Sequence, residues 1–355
     1  MNIEQQSASS RKGRLFQLFI VMTLLLLAAT AITMSLYRSF QVAEISVPEE
    51  GMIYTIPAGT SLKQLAFDLH RHGIIDQPRF FVMLGRELDA ARSLKTGEYT
   101  LLRGMTPRSL LEQVTDGQVI QYSLTVIEGQ TFREMLARIA SHAVIEHTLE
   151  GLDDGEIMAR LGHPGEHPEG RFLPDTYNFP RSTTDLAFLQ RAYNAMTDQL
   201  QQAWEERQEG LPLKSPEEAL ILASIVEKET GRAEERPVIA GVFVRRLQKG
   251  MKLQTDPTVI YGMGASFDGN IRLRDLRKDT PYNTYTRSGL PPTPIALPGA
   301  DAIHAVLHPA AGNSLYFVAM GEGRHYFSST LKQHNLAVDK FQKKKKGIKL
   351  PASGE

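Results

Sequence analysis

Hydrophobic and polar positions alternate differently in three parts of the chain. From Leu15 to Tyr37 the run LFQLFIVMTLLLLAATAITMSLY contains no charged residue. As a helix at about 1.5 Å per residue it reaches roughly 35 Å, enough to cross the hydrocarbon core of a bilayer. Arg11, Lys12 and Arg14 precede it, so the positive-inside rule predicts residues 1–14 in the cytoplasm and the bulk of the chain outside. A cleavable signal peptide is the competing reading, with Ala29-Thr30-Ala31 as a small-x-small site. The apolar run continues past that site through Ile32, Met34 and Leu36, which favours a membrane anchor over residues 15–37. Residues 38–50 are polar-leaning and predict a linker.

The second pattern occurs twice, as TIPAGTSLKQLAFDL (55–69) and TVIEGQTFREMLARI (125–139). Each predicts a short strand, a turn centred on glycine, a hydroxyl N-cap (Ser61, Thr131) and an amphipathic helix. After the first copy, FFVMLGREL (80–88) reads as helix, KTGEYTLL (95–102) as strand, and SLLEQVTDG (109–117) as a helix ended by Gly117. That order predicts a small α+β domain over residues 51–122. A polar, acidic segment (145–170) joins it to the remainder. His163 and His167 are four apart there, but Pro164, Gly165 and Pro168 oppose the helix that would align them as metal ligands. A solvated loop is predicted, and no metal site.

The third pattern is SPEEALILASIVEKETG (215–231). Ser215 can cap a helix, Pro216 suits its first turn, Glu218 sits at the capping-box position and Gly231 supplies a stop. Ala219, Leu220, Ile221, Leu222, Ala223, Ile225 and Val226 leave almost no polar face, which predicts a buried helix. At about 100° per residue, Glu227 and Glu229 point roughly 200° apart and cannot form a close pair. Glu229 continues the stripe Leu222–Ile225–Val226. Glu227 continues the smaller, more polar stripe Leu220–Ala223–Ser224. Glu229 is therefore the better candidate for a carboxyl held against apolar surroundings. Burial and the negative end of the helix dipole both raise its pKa, as a general acid requires near neutral pH. Two ordinary surface glutamates in a fraying last turn, pairing with Arg232 or Arg236, are the alternative.

Composition narrows the choice mainly by exclusion. The 40 basic and 40 acidic residues balance, so charge gives no argument for nucleic acid. No cysteine is present, which removes disulfides, thiolate metal sites and a thiol nucleophile. Nothing in the chain points to a cofactor.

Specific strings carry more. SIVEKET, EGRFLPDTYNFP (169–180), MKLQTDPTVIYGMG (251–264), TPYNTYTRSGLPPTPIALPGADAIHAVLHP (280–309), LYFVAMGEGRHYF (315–327) and HN (334–335) together closely resemble the endolytic murein transglycosylase family, also described by its YceG-like domain. The resemblance implies an α+β protein with an N-terminal transmembrane helix, a LysM-like domain over 51–122, and a catalytic domain over 123–340 whose lysozyme-like helix carries the catalytic glutamate. The two strand–turn–helix starters are similar to the opening of a LysM module, which grips N-acetylglucosamine chains; a bare starter with no glycan role is the other reading.

The family is similar to lytic transglycosylases in having one catalytic glutamate followed by a small hydroxyl residue, here Glu229-Thr230. The implied reaction is non-hydrolytic cleavage of the bond between N-acetylmuramic acid and N-acetylglucosamine in nascent glycan strands, ending their elongation. Glu229 protonates the leaving oxygen, then takes a proton from the muramic C6 hydroxyl, which closes on C1 to leave a 1,6-anhydro end. Hydrogen-bonding groups in the shared strings are the expected sugar contacts: Gln254, Thr255 and Asp256, and Tyr282, Asn283 and Tyr285, with Thr230 beside the acid. Tyrosine suits sugars because a partly apolar ring stacks on the pyranose face. Asp256 before Pro257 is also a common turn starter. Tyr261, Glu169, His308 and His325 lie in matching strings without an assigned role.

The implied partners are peptidoglycan strands, the inner membrane with the catalytic domain in the periplasm, and peptidoglycan synthases; no nucleic acid is implied. The tail 341–355, with FQKKKKGIKL, reads as a solvated basic end, or as one drawn to anionic wall polymer or lipid headgroups. Two other functions stay open: a muramidase-type hydrolase with Asp256 as second carboxylate, and a non-catalytic scaffold that holds glycan for wall synthases.

Overall fold

A computed structural model describes residues 4–353, with side chains described from residue 15 onward. The chain divides into two compact units, Met1–Tyr122 and Ser123–Glu355, and its secondary structure is mixed α+β. The first unit opens with helix α1 (Glu4–Val42). Its stretch Leu15–Val42, of mean hydropathy 2.4, is long and apolar enough to cross a membrane. Arg11, Lys12 and Arg14, which bear on the expected orientation, have side chains outside the described residues.

The helix runs on into the expected linker, and the reason is apolar spacing. Tyr37 and Phe40 are buried against Phe80, at ring centroid distances of 5.6 and 5.9 Å. Ile45 is buried too, with its N–H donating to Met105 O, and Ser46 N–H donates to Ile74 O. Residues 38–50 are thus tied down rather than free.

Strand β1 (Met52–Ile56), helices α2 (Leu62–Arg71) and α3 (Pro78–Glu87), strand β2 (Gly97–Leu101) and helix α4 (Pro107–Asp116) follow. β1 and β2 are antiparallel, with Tyr54 opposite Tyr99. Leu65, Leu69, Phe81, Leu84, Tyr99 and Leu111 form their core. The turn glycine Gly59 is left-handed (φ +78°). Ser61 Oγ accepts from Gln64 N–H while Gln64 returns a bond to Ser61 N–H, a complete capping box.

The second copy of the pattern builds the same order of elements: β3 (Tyr122–Thr125), α5 (Phe132–Ala140), α6 (Asp154–Arg160) and β4 (Thr176–Phe179), with β3 paired to β4. Gly129 is left-handed (φ +75°), and Thr131 forms a capping box with Glu134. The segment 145–170, expected as a loop, contains α6. His163 and His167 lie outside it: His163 stacks on Tyr193 at 4.0 Å, and His167 Nδ1 accepts from Glu169 N–H.

Helix α8 (Pro216–Glu229) is the centre of the remainder, enclosed by α7 (Asp185–Glu205), α9 (Arg236–Gln248) and α12 (Ala300–Leu307). Every residue from Ala219 to Val226 is buried, and each large side chain among them stabilises the fold by about 1.5–3 kcal/mol relative to exposure. Ser215 caps the helix by accepting from Glu218 N–H, but the Glu218 carboxylate accepts from Lys214 N–H, one residue before the cap. The helix stops because Thr230 is extended (φ −149°, ψ 135°). The expected glycine stop at Gly231 is not the device used: that residue has no left-handed φ.

Helices α10 (Asp256–Met263) and α11 (Leu273–Arg277) precede α12, and an antiparallel hairpin of β5 (Tyr316–Gly321) and β6 (Arg324–Ser328) follows it. Helix α13 (Leu331–Phe341) packs on the hairpin through Val318, Tyr326 and Ala337. The basic tail does not simply extend into solvent. Leu350 packs on this cluster, Tyr326 Oη donates to Pro351 O, and Phe327 N–H donates to Ser353 Oγ. Lys343 and Lys345 pair with Asp339, and the last two residues lie outside the described residues.

Candidate active site

The two carboxyls at the end of α8 serve different neighbours. Glu227 Oε2 accepts from Gly299 N–H (3.0 Å), the N-cap of α12, and Oε1 accepts from Arg236 (3.4 Å). Arg236 also pairs with Glu128 and Asp301, each at 3.2 Å. A Cβ on Gly299 would sit 2.0 Å from Glu128 Oε1, so a larger residue there would displace the Glu128 carboxylate. Burial raises the pKa of Glu227. This carboxyl joins α8, α9 and α12.

Glu229 faces away from that cluster, into a cavity of ≈ 580 Å³, a size suited to part of a chain ligand. The cavity lies between the end of α8, residues 253–256, Tyr285, Arg246 of α9, the β5–β6 hairpin and α13. Part of the Glu229 residue surface opens to it, yet protein encloses the carboxyl closely enough that desolvation lifts its pKa from 4.5 to about 7. The charge of Asp256 pushes the same way. Thr255 Oγ1 donates to Glu229 Oε1, and together with the electrostatic influence of His325 and Arg246 it holds the rise in check. A carboxyl that keeps its proton near neutrality, beside an open cavity, can donate that proton to a bound group.

The residues expected at the site separate into two sets. Gln254, Thr255, Asp256 and Tyr285 line the cavity with Glu229. Gln254 holds a left-handed backbone (φ +50°), unusual for a residue with a side chain. Tyr285 Oη donates to Asp256 Oδ1 (2.6 Å), and burial raises the tyrosine's pKa.

Tyr282, Asn283 and Thr230, expected as sugar contacts, do not line the cavity. Tyr282 packs edge-on to Tyr261 and lies 2.8 Å from Thr293 Oγ1 through its hydroxyl. Asn283 is buried, its amide donating to the carbonyls of Asp275, Leu276 and Lys278 while Oδ1 accepts from Tyr285 N–H (2.8 Å). It shapes the loop that presents Tyr285. Thr230 Oγ1 accepts from Arg232 N–H (3.0 Å) and holds the turn after α8.

Several lining residues had no expected role. Arg246 donates to the carbonyls of Leu253, Lys252 and Leu315 and lies 5.1 Å from the Tyr316 ring centroid. His334 stacks on Tyr316, and burial and Arg246 lower its pKa. His325 is held by Glu235 through Nδ1 at 2.7 Å. His325 and His334-Asn335 stood in the motif strings, but no local spacing links them to Glu229, and only the fold of the hairpin and α13 brings them there.

Two other marked residues sit elsewhere. His308 Nε2 donates to Glu206 O (2.9 Å). Glu169 is buried, accepts from Phe132 N–H (2.9 Å) and bonds Tyr261, and desolvation lifts its pKa to about 7. It joins α10 through Tyr261 and does not line the cavity. Among the described residues no group of three or more His, Asp or Glu side chains is placed to hold a metal ion.

The sequence model of the YceG-like family matches residues 54–340, across both units. An endolytic murein transglycosylase of Bacillus subtilis (strain 168) is 30% identical over 303 residues, covering 81% of this chain and 83% of that protein. A protein of the same name from Streptococcus pneumoniae serotype 2 is 28% identical over 321 residues, covering 80% of this chain and 57% of that protein, so the chain spans little more than half its length. A crystal structure of a yceG-like protein from Listeria monocytogenes is 29% identical, covering 81% of this chain and 99% of that one, with a TM-score of 0.49.

Proposed function

This chain belongs to the YceG-like family, and we propose that it is a peptidoglycan lytic transglycosylase with Glu229 as its catalytic acid and base. The relatives named endolytic murein transglycosylase supply the substrate class. The observation that carries the mechanism is a carboxyl with a pKa near 7, hydrogen-bonded to Thr255 and facing the open cavity.

In this mechanism Glu229 protonates the glycosidic oxygen as the bond from muramic C1 breaks. The resulting carboxylate takes the proton of the muramic C6 hydroxyl, whose oxygen bonds to C1. The enzyme ends protonated as it began, and the product carries a 1,6-anhydro ring. One carboxyl suffices because the nucleophile is part of the sugar, so the entropic cost of bringing it to C1 is largely met in advance. Glycosidases that use water usually need a second carboxylate as nucleophile or base. In this reading Gln254, Asp256 and Tyr285 hold the sugar and Thr255 orients Glu229, which their positions in the cavity lining and the Thr255–Glu229 hydrogen bond support.

The apolar helix over 15–42 supports a single-pass anchor in the inner membrane with the catalytic unit in the periplasm. The strand–helix–helix–strand order of β1–α2–α3–β2 supports a LysM-like module that holds glycan. An anchored enzyme cutting within strands would act as they are made, ending their elongation beside the synthases.

Asp256 in the same cavity favours a second reading, hydrolysis by two carboxylates. Mass spectrometry of digested glycan strands decides between them. Anhydro ends support the transglycosylase, and reducing ends would replace it with the hydrolase.

A further inference from the structure

Directly after α8 the chain turns and presents Glu235 to the β5–β6 hairpin. Glu235 Oε1 accepts from the backbone N–H of His325 (2.9 Å), and its Oε2 lies 2.7 Å from His325 Nδ1. Both side chains are nearly buried, at 12% and 11% exposure. Phe317 stands perpendicular to the imidazole at 5.4 Å, and Phe327 lies at 6.4 Å. The ring is therefore gripped at one edge and walled by aromatics. The same turn holds the hairpin tip, because Arg232 donates to Glu322 O (2.9 Å).

A carboxylate can only accept, so Nδ1 carries a proton, and Nε2 of a neutral ring would present a lone pair. Nε2 has no partner among the described residues, and His325 lines the cavity that contains Glu229. Arg246, on the same wall, commits its Nε and Nη1 donors to three backbone carbonyls. We propose that Glu235 and His325 form a second functional unit of this site. Glu235 fixes the tautomer, and His325 Nε2 accepts a hydrogen bond from an N–H or O–H of the N-acetyl sugar bound against Glu229. No bond to hydrogen is made or broken at the imidazole. The inference rests on the glycan-cleaving reading above and adds a binding residue and a positioning residue to it.

The test uses the full chain in detergent, purified glycan strands, and release of cleaved ends as the readout. In Glu235→Gln the amide N–H₂ faces Nδ1 and moves the ring proton to Nε2, turning an acceptor into a donor. The expected result is about a tenfold loss in kcat/KM, the scale of one hydrogen bond to substrate, carried largely by KM. His325→Gln should lose as much, and the double variant no more than either single one. Imidazole ¹⁵N shifts should report Nδ1–H in the unmodified protein, a reading that needs no variant to fold. An Nε2–H tautomer there, additive losses, or single variants within twofold of the parent would overturn the proposal. Glu229→Gln run in parallel separates the two levels. If it abolishes cleavage while the other variants are unaffected, only this inference fails. If it stays active, the catalytic reading fails first.

Discussion

Thr255 Oγ1 donates to Glu229 Oε1 instead of capping α10, the helix that Thr255 begins. A hydroxyl at an N-cap ordinarily accepts from a backbone N–H two or three residues on, and its loss there costs about 1 kcal/mol. Here that local contribution is given up to orient a carboxyl on another helix. The Thr255 backbone N–H is meanwhile bonded to Thr284 Oγ1 (3.1 Å), so the residue is fixed from both sides.

Glu229→Gln removes the group proposed to give and retake the proton. We expect cleavage of purified glycan strands to fall by about 10²–10⁴-fold, the usual contribution of general acid–base catalysis. The thermal unfolding midpoint should hold or rise, because an amide in that position avoids the cost of burying a carboxylate. A variant still cutting at a tenth of the parent rate would remove Glu229 from the mechanism.

The pH dependence of kcat/KM follows from the same carboxyl. Its pKa of about 7 in the folded protein means the acid form dominates below that pH and is lost above it. Activity governed by Glu229 should therefore fall on the alkaline side, tenfold per pH unit beyond about pH 7. A profile flat from pH 6 to 9 would contradict this.

Thr255→Val tests the hydrogen bond directly. The hydroxyl favours the carboxylate and so lowers the Glu229 pKa. Without it the pKa rises, and the alkaline limb should move upward by about half to one pH unit, the equivalent of one hydrogen bond. Turnover at the optimum should drop as the carboxyl loses its orientation. A limb moving to lower pH would refute the assigned sign.

Glu227 should behave as a structural residue. Glu227→Gln keeps an acceptor for Gly299 N–H, so about 1 kcal/mol of stability and little activity should be lost. Arg236→Ala leaves Glu227 buried without its counter-ion and should cost about 3–5 kcal/mol. Chemical denaturation of both variants beside the parent checks the difference.

Glu169 gives a stability signature separate from catalysis. Its folded pKa of about 7 lies above its ordinary 4.5, so its contribution is complete below about pH 4.5 and is lost as pH rises through 7. At about 1.4 kcal/mol per pH unit this amounts to on the order of 3 kcal/mol. Glu169→Gln should be less sensitive than the parent to a change from pH 5 to pH 8, measured by urea denaturation of the full chain. Glu229 adds a slope of the same sign in both proteins, so the comparison isolates Glu169.

The elements most legible in the sequence are those set by local chemistry. The apolar run of α1, the turn glycines Gly59 and Gly129, the caps Ser61 and Thr131, and the encircled apolar helix α8 all express interactions within a few residues. The opposite faces of Glu227 and Glu229 also follow from helical pitch alone. Local reading failed where apolar residues were sparse: Phe40 and Ile45 looked like linker, and Leu350 like free tail, because single apolar positions carry no period.

What the chain order alone determined was therefore that the two carboxyls leave α8 on opposite faces, with Glu229 continuing the apolar stripe. Tertiary structure decided what that carboxyl meets. Thr255, Arg246, His325 and His334 come from four separate elements, and Tyr282 and Asn283 turn away from the cavity although they adjoin Tyr285 in sequence. The reason is physical: a helix fixes direction through bonds between near neighbours, whereas a cavity is bounded by whichever surfaces the packing of distant segments leaves facing one another.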